Sequence, residues 1–295
     1  MTAKLLSGKE TAKIYADRLA DIVARLKAER GIVPKLQVIL VGEDPASLIY
    51  DRAKMKKARE IGIDSELLRL PASTSEAKLL RLIGKFNVDR ATNGILVQLP
   101  LPEHIAEARV TAAIAPEKDV DGFHPMNRGM LAAGNESGMM PCTPLGIVRL
   151  LERYKVKIAG RRAVVVGRSN IVGRPMSVLL LNRDATVAVC HSKTRNMAAV
   201  TREADILVSA AGRKNLIRAG HVKKGAAVVD VAMVRGKGGG LCGDTAFAEV
   251  AEKAKFITPV PGGVGPMTII MLMENTVKAF LKQNKIDLDI DSING

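Results

Sequence analysis

Aromatic side chains are almost missing from this chain, which has no Trp, 3 Tyr and 5 Phe in 295 residues. Single-stranded nucleic acid is held on stacking platforms, and no basic run here carries interleaved aromatics, so composition argues against a nucleic-acid partner. Cysteine is scarce as well. Cys142, Cys190 and Cys242 are odd in number and far apart, with no C-x-x-C and no His at ligand spacing beside them. That argues against a disulfide framework or a structural zinc, no metal site is expected, and reduced thiols suit a cytoplasmic location. No apolar run approaches the ~18 residues of a membrane span, and the N-terminus has no long apolar segment of a signal peptide, so no membrane partner is expected. Acidic residues are the last shortage: 30 Asp and Glu stand against 45 Lys and Arg, a net charge of +15. Such a surface draws in anions, whether nucleic acid, acidic lipid, or phosphorylated and carboxylated small molecules, and charge alone does not choose among them.

What the chain has is apolar material, 47% of its residues, enough for the packed cores of one large or two medium domains. Strand-like runs at 37–42, 65–70 and 94–98 are separated by helical patterns, one of them opened by the Ser, Thr and Glu of "STSEAKLLRLIGKFNVD". Beyond the middle come "RRAVVVG", "ATVAVC", "DILVSA", "AAVVDVAM" and "KFITPV". Short apolar strands spaced by helices predict parallel sheets in an α/β architecture, better fitted by two units than by one. Strand periodicity lapses over 116–144, where Pro, Gly and Asn accumulate, and a hinge is expected there. The pattern "GPMTIIMLMENTVKAFLKQ" is helical and able to return to the first unit, while "GKGGG" at 236–240 reads as a flexible loop.

Two stretches suggest chemistry. In "RRAVVVGRSNIVGRPMSVLLL" a strand leads through Gly167 and a polar turn to Gly173 and an apolar helix. A helix start offers N–H groups and a positive dipole end to a pyrophosphate. The spacing G-x-x-x-x-x-G is not the three-glycine dinucleotide fingerprint, and alone such a junction is more often a plain α/β connection. The next strand, however, ends at Cys190-His191-Ser192-Lys193-Thr194. An NAD site usually offers an acid to the ribose there; a hydroxyl and cations, with Arg168 nearby, would instead welcome a 2′-phosphate, so NADP is the expected cofactor.

The second stretch is "PASLIYDRAKMKKAREIGI", residues 45–63. With Asp44 as cap and Pro45 at the first position, Ala46, Tyr50, Lys54 and Ala58 form one i, i+4 row. From the helix alone this is a lysine snorkelling over a tyrosine. Arg52, Lys56 and Lys57 disfavour a further positive charge, and burial would lower the Lys54 pKa, as acid–base catalysis near neutrality requires. "NGILVQLPLP" puts Gln98 at the carboxyl end of a parallel strand, where α/β ligands sit, and "EKDVDGFHP" puts Asp121 before Gly122, able to meet paired N–H donors. Gln98 satisfying a strand end and Asp121 serving as a turn acid are the plain alternatives. Tyr-x-x-x-Lys also occurs in short-chain dehydrogenases, but there the glycine-rich loop comes first, the reverse of the order here.

Taken together, "VGEDPAS..Y...K", "GILVQLPLP", "PEKDVDGFHP", "CTPLGI", "VVVGRSNIVGRP", "CHSKT", "ADILVSAAG" and "TPVPGGVGPMT" resemble the bifunctional methylenetetrahydrofolate dehydrogenase/methenyltetrahydrofolate cyclohydrolase family over nearly the whole chain. The resemblance implies two α/β domains flanking a cleft. Residues 1–140, completed by 266–295, would be a folate-binding catalytic domain, and 141–265 a Rossmann-like NADP-binding domain with a parallel sheet. It implies oxidation of 5,10-methylenetetrahydrofolate by NADP and hydrolysis of the product to 10-formyltetrahydrofolate, in one-carbon metabolism that feeds purine biosynthesis, by a cytoplasmic homodimer. The implied roles are Tyr50 stacking on the substrate, Lys54 carrying acid–base chemistry, Gln98 positioning that lysine and Asp121 gripping the pterin. The backbone of Pro261, Gly262 and Gly263 would line the folate pocket. Gly167, Arg168, Ser169, Gly173, His191, Ser192 and Thr194 would hold NADP. A dehydrogenase-only relative and an NADPH-dependent short-chain-type reductase are the alternatives. "GDTAF" at 243–247 departs from the version expected of the family.

Overall fold

A computed structural model describes residues 2–42, 45–235, 240–288 and 290, with only the backbone course described for 45–51 and 235. The expected caps and loop at Asp44 and 236–239 lie outside the described residues. In chain order the elements begin β1 (Lys4–Leu5), α1 (Gly8–Arg30), β2 (Lys35–Val41), α2 (Pro45–Ile61), β3 (Asp64–Leu70), α3 (Glu76–Val88) and β4 (Gly94–Val97). There follow α4 (Glu107–Ala113), α5 (Pro125–Ala132), α6 (Cys142–Arg153), β5 (Arg162–Val166), α7 (Gly173–Leu181), β6 (Thr186–Cys190), α8 (Met197–Thr201) and β7 (Ile206–Ser209). The last are β8 (Ala227–Asp230), β9 (Val234–Arg235), β10 (Leu241–Cys242), α9 (Phe247–Ala251), β11 (Phe256–Ile257) and α10 (Val264–Gln283).

The chain divides into two compact units, one of residues 13–142 with 269–295, the other of 1–12 with 143–268. In the first, β2 lies between β3 and β4 in a parallel three-stranded sheet. Its run Lys35–Val41 is buried at every residue but the first, as a central parallel strand must be. On α3, Leu79 and Ile83 are four apart and buried, and Ser75 caps the helix by accepting from the Lys78 N–H at 3.3 Å. These residues join Ile39, Val41, Ile95 and Val97 in one core. Within the stretch expected to be a hinge, Pro125–Ala132 forms α5, and the boundary between the units falls at Cys142/Thr143. From residue 269 onward α10 belongs to this unit. Gln283 Nε2 donates to Asn93 O at 2.9 Å and to Glu117 O at 3.2 Å.

In the second unit six parallel strands take the order β1-β11-β8-β7-β5-β6. Residues 1–12, expected with the first unit, are found here because β1 pairs with β11 and extends the sheet by one strand. The strands β5, β7 and β8 are buried apolar runs, packed in a core with Val164, Leu207, Val228 and Ile257.

Candidate active site

In the three-stranded unit α2 leaves the carboxyl end of β2, and β4 runs beside β2 in the same direction. The turn after β4 therefore faces the start of α2. Gln98 is the first residue past β4. Its N–H donates to Ile39 O at 2.9 Å and its Nε2 to Leu99 O at 2.7 Å, which commits the amide and turns Oε1 toward α2. Lys54 Nζ donates to that oxygen. Lys54 is only 9% exposed, so its amine sits among protein groups and not in bulk water. Tyr50 lies on α2 one turn before Lys54, and its side chain is outside the described residues. Of the neighbouring cations, Lys57 Nζ is 2.5 Å and Lys56 Nζ 3.9 Å from the Glu60 carboxylate, so both charges are answered on the outer face of the helix.

Asp121 joins this pair electrostatically. It keeps some accessible surface, yet protein atoms crowd its carboxyl on most sides. Burial pushes its pKa up to about 6, with the charge of Asp119 adding to the rise and the Lys54 cation opposing it. The loop holding Asp121 is organised by Asp119, which is buried and was not singled out in the sequence. Its carboxylate accepts from the His124 N–H at 2.7 Å, the Phe123 N–H at 3.2 Å and Asn127 Nδ2 at 2.9 Å. Burial raises the Asp119 pKa while these donors pull it back. A lysine, an amide and a carboxylate with unequal environments can pass protons to and from a ligand.

At the carboxyl edge of the six-stranded sheet, Val166 on β5 stands opposite Cys190 on β6. That register brings Gly167-Arg168 alongside His191-Ser192, although the two pairs are 24 positions apart in the chain. Gly167 has φ +121° and a side chain there would meet Ala210 O, while a Cβ on Gly173 would meet Gly167 O, so glycine at both lets the turn close over the start of α7. Ser169 Oγ accepts from the Val172 and Gly173 N–H groups at 3.2 and 3.3 Å, and Arg168 and Ser192 are exposed at the same edge. His191 and Thr194 close a turn, the Thr194 hydroxyl accepting from the His191 N–H at 2.9 Å. A backbone cradle with a guanidinium and a hydroxyl, and no carboxylate among 190–194, fits a dinucleotide bearing a 2′-phosphate.

A second buried acid stabilises this edge and also escaped notice in the sequence, where "GDTAF" stood out only as a departure. Asp244 accepts from Ser209 Oγ and the Ala211 N–H, both at 2.7 Å, and from the Arg213 N–H at 2.6 Å, fixing the loop that bears on Gly167. Gly243 is needed beside it, since a Cβ there would lie within 2.0–2.6 Å of the Asp230 carboxyl group. In the same unit Gly262 O accepts from the Lys9 N–H at 3.0 Å, and Pro261 is exposed. No group of His, Cys, Asp and Glu among the described residues could hold a metal ion.

Comparison with known proteins bears on both units. The family described as "Tetrahydrofolate dehydrogenase/cyclohydrolase, catalytic domain" matches residues 6–121, and its "NAD(P)-binding domain" matches 141–284. A relative from Bacillus velezensis named "Bifunctional protein FolD" is 54% identical over 279 residues, covering 95% of this chain and 98% of its own. Among solved structures, the bifunctional FolD methylenetetrahydrofolate dehydrogenase/cyclohydrolase of Campylobacter jejuni is 49% identical with a TM-score of 0.92, covering 94% of this chain and 98% of its own. The Trypanosoma brucei enzyme, solved with NADP and an inhibitor, is 38% identical with a TM-score of 0.92, covering 97% of this chain and 99% of its own.

Proposed function

The chain belongs to the tetrahydrofolate dehydrogenase/cyclohydrolase family, and from that membership we propose that it oxidises 5,10-methylenetetrahydrofolate with NADP and hydrolyses the 5,10-methenyl product to 10-formyltetrahydrofolate. The observation that carries the reading is the buried Lys54 held by Gln98 beside Asp121.

For the dehydrogenase step the protein's work is alignment. Asp121 grips paired N–H donors of the pterin and Tyr50 stacks on the ring, while the backbone of Pro261, Gly262 and Gly263 approaches the ligand. NADP is held by the glycine turn and the start of α7, with Arg168, Ser169, His191, Ser192 and Thr194 about its phosphates. When bound, its nicotinamide accepts the hydride. The hydrolysis needs proton traffic. A water adds to the methenyl carbon and one C–N bond breaks. Unprotonated Lys54 Nζ takes a proton from that water and passes it to the departing nitrogen, the remaining hydroxyl proton leaves to solvent as the formyl C=O forms, and Gln98 keeps the amine on line between the two positions. Such chemistry supplies one-carbon units of the kind purine synthesis consumes.

Among the described residues no helix is long and apolar enough to cross a membrane, and we read the enzyme as cytoplasmic. We also read it as a homodimer, supported by β6, whose open edge carries Val189 at 39% exposure.

The test is purified protein with methylenetetrahydrofolate and either NADP or NAD, followed for methenyl absorbance and its decay. Appearance with NADP followed by decay is expected. Appearance without decay points to a dehydrogenase-only enzyme, and NADPH loss on a small carbonyl without folate points to a reductase.

A further inference from the structure

Asp121 is flanked by two chain segments that meet at one buried side chain. On one side is Val120. On the other is Met140-Pro141, which lies so near Gly122 that a Cβ there would be 2.5 Å from Pro141 N. Asn275, on α10 and 1% exposed, spends its amide on both: Nδ2 donates to Val120 O at 2.8 Å and to Met140 O at 2.9 Å. It also lies 3.6 Å from Cys142 Sγ, whose thiol donates to Val120 O at 3.2 Å. An amide NH2 has two hydrogens, and here each closes one of the two segments on either side of the carboxylate-bearing turn.

We infer that Asn275 is a positioning residue for folate binding: by tying Val120 to Met140 it holds the Asp121 carboxylate at the angle the substrate requires. Satisfying two buried carbonyls would by itself explain an asparagine. It would not explain why the carbonyl directly before Asp121 receives two donors, from different elements, while the adjacent Gly122 is pressed against the other tethered segment. The inference rests on the reading of Asp121 as a folate-gripping group. A grip of this kind acts on substrate and transition state alike, so its loosening raises KM and leaves kcat nearly unchanged.

The experiment compares Asn275→Ala and Asp121→Ala with the native enzyme, measuring methylenetetrahydrofolate KM and kcat, NADP Kd and melting temperature. Expected for Asn275→Ala is a folate KM about tenfold higher, as Met140 O loses this donor and Val120 O one of its two, with kcat within about threefold and NADP Kd unchanged. A lowered melting temperature with native folate KM overturns the inference, as does an equal loss of NADP affinity. If Asp121→Ala raises the folate KM and Asn275→Ala does not, positioning alone fails. If Asp121→Ala also leaves KM untouched, the reading of Asp121 falls and the inference with it.

Should Asn275→Ala melt too low to assay, the isosteric Asn275→Asp decides. Protonated, its carboxyl can donate to one carbonyl; ionised, it donates nothing and faces the Val120 and Met140 carbonyls, with Asp121 and Asp119 nearby. Its folate KM relative to native enzyme should climb between about pH 5.5 and 8. A flat ratio overturns the inference.

Discussion

The two units divide charge very unevenly. The unit on the three-stranded sheet has 22 basic and 21 acidic side chains, and the unit on the six-stranded sheet 23 and 9, so nearly all of the net +15 belongs to the latter. There an excess of cations, Arg168 at the sheet edge among them, attracts an anion without reacting with it. In the near-neutral unit the decisive charges are few, largely removed from water and set against one another: Lys54, Asp119 and Asp121. The difference sets a basic surface suited to an anionic cofactor against a few mostly buried charges to which we assign the proton transfers, a contrast that the composition of the whole chain does not reveal.

The sharpest break of that comparison is Arg168→Ala. Losing a charge-assisted contact to the 2′-phosphate should weaken NADP roughly ten- to a hundredfold, while NAD affinity and folate KM stay near native. Titration with both dinucleotides checks this, and equal losses for NADP and NAD would contradict the phosphate assignment.

Asp121→Asn probes the other unit through stability. The Asp121 pKa is about 6 in the folded protein, above the ~3.9 of an unfolded chain. The folded state therefore binds this proton more tightly, and stability is lost as pH rises from about 4 to about 6. Removing the charge should stabilise the protein at pH 7.5 by on the order of 3 kcal/mol and do almost nothing at about pH 3.5. Denaturant unfolding at the two pH values reads the difference, and the same gain at both would refute the raised pKa. Smallest of all, Lys56→Ala should change cyclohydrolase rate less than about twofold and stability less than about 0.5 kcal/mol, because an exposed pair with Glu60 contributes little. A larger change in rate would show that cations on the outer face do act on Lys54.

The strands were legible wherever an apolar run is buried on both faces, as at Lys35–Val41 and Arg162–Val166, since such runs have few other places to go. Gln98 was legible for the same reason, being the polar residue that ends such a run. The short strand β11 was legible in "KFITPV", but two-residue β1 has no periodicity to read, and the placement of residues 1–12 is decided by a partner 252 positions away. Asp244 and Asn275 stayed hidden because their partners lie on remote segments that only the fold assembles, and Asp119 and Asn127 because the turn that joins them over a few residues has no periodic pattern to read. Acid or amide type alone carries no sign of burial.

The most direct test is Lys54→Met, which keeps the buried stem and removes the amine. Methenyltetrahydrofolate hydrolysis and NADP Kd are measured on the same preparation. Hydrolysis should fall by about a hundredfold or more with NADP affinity unchanged, so that methenyl product accumulates and persists; decay at the native rate would contradict the assignment of proton transfer to Lys54.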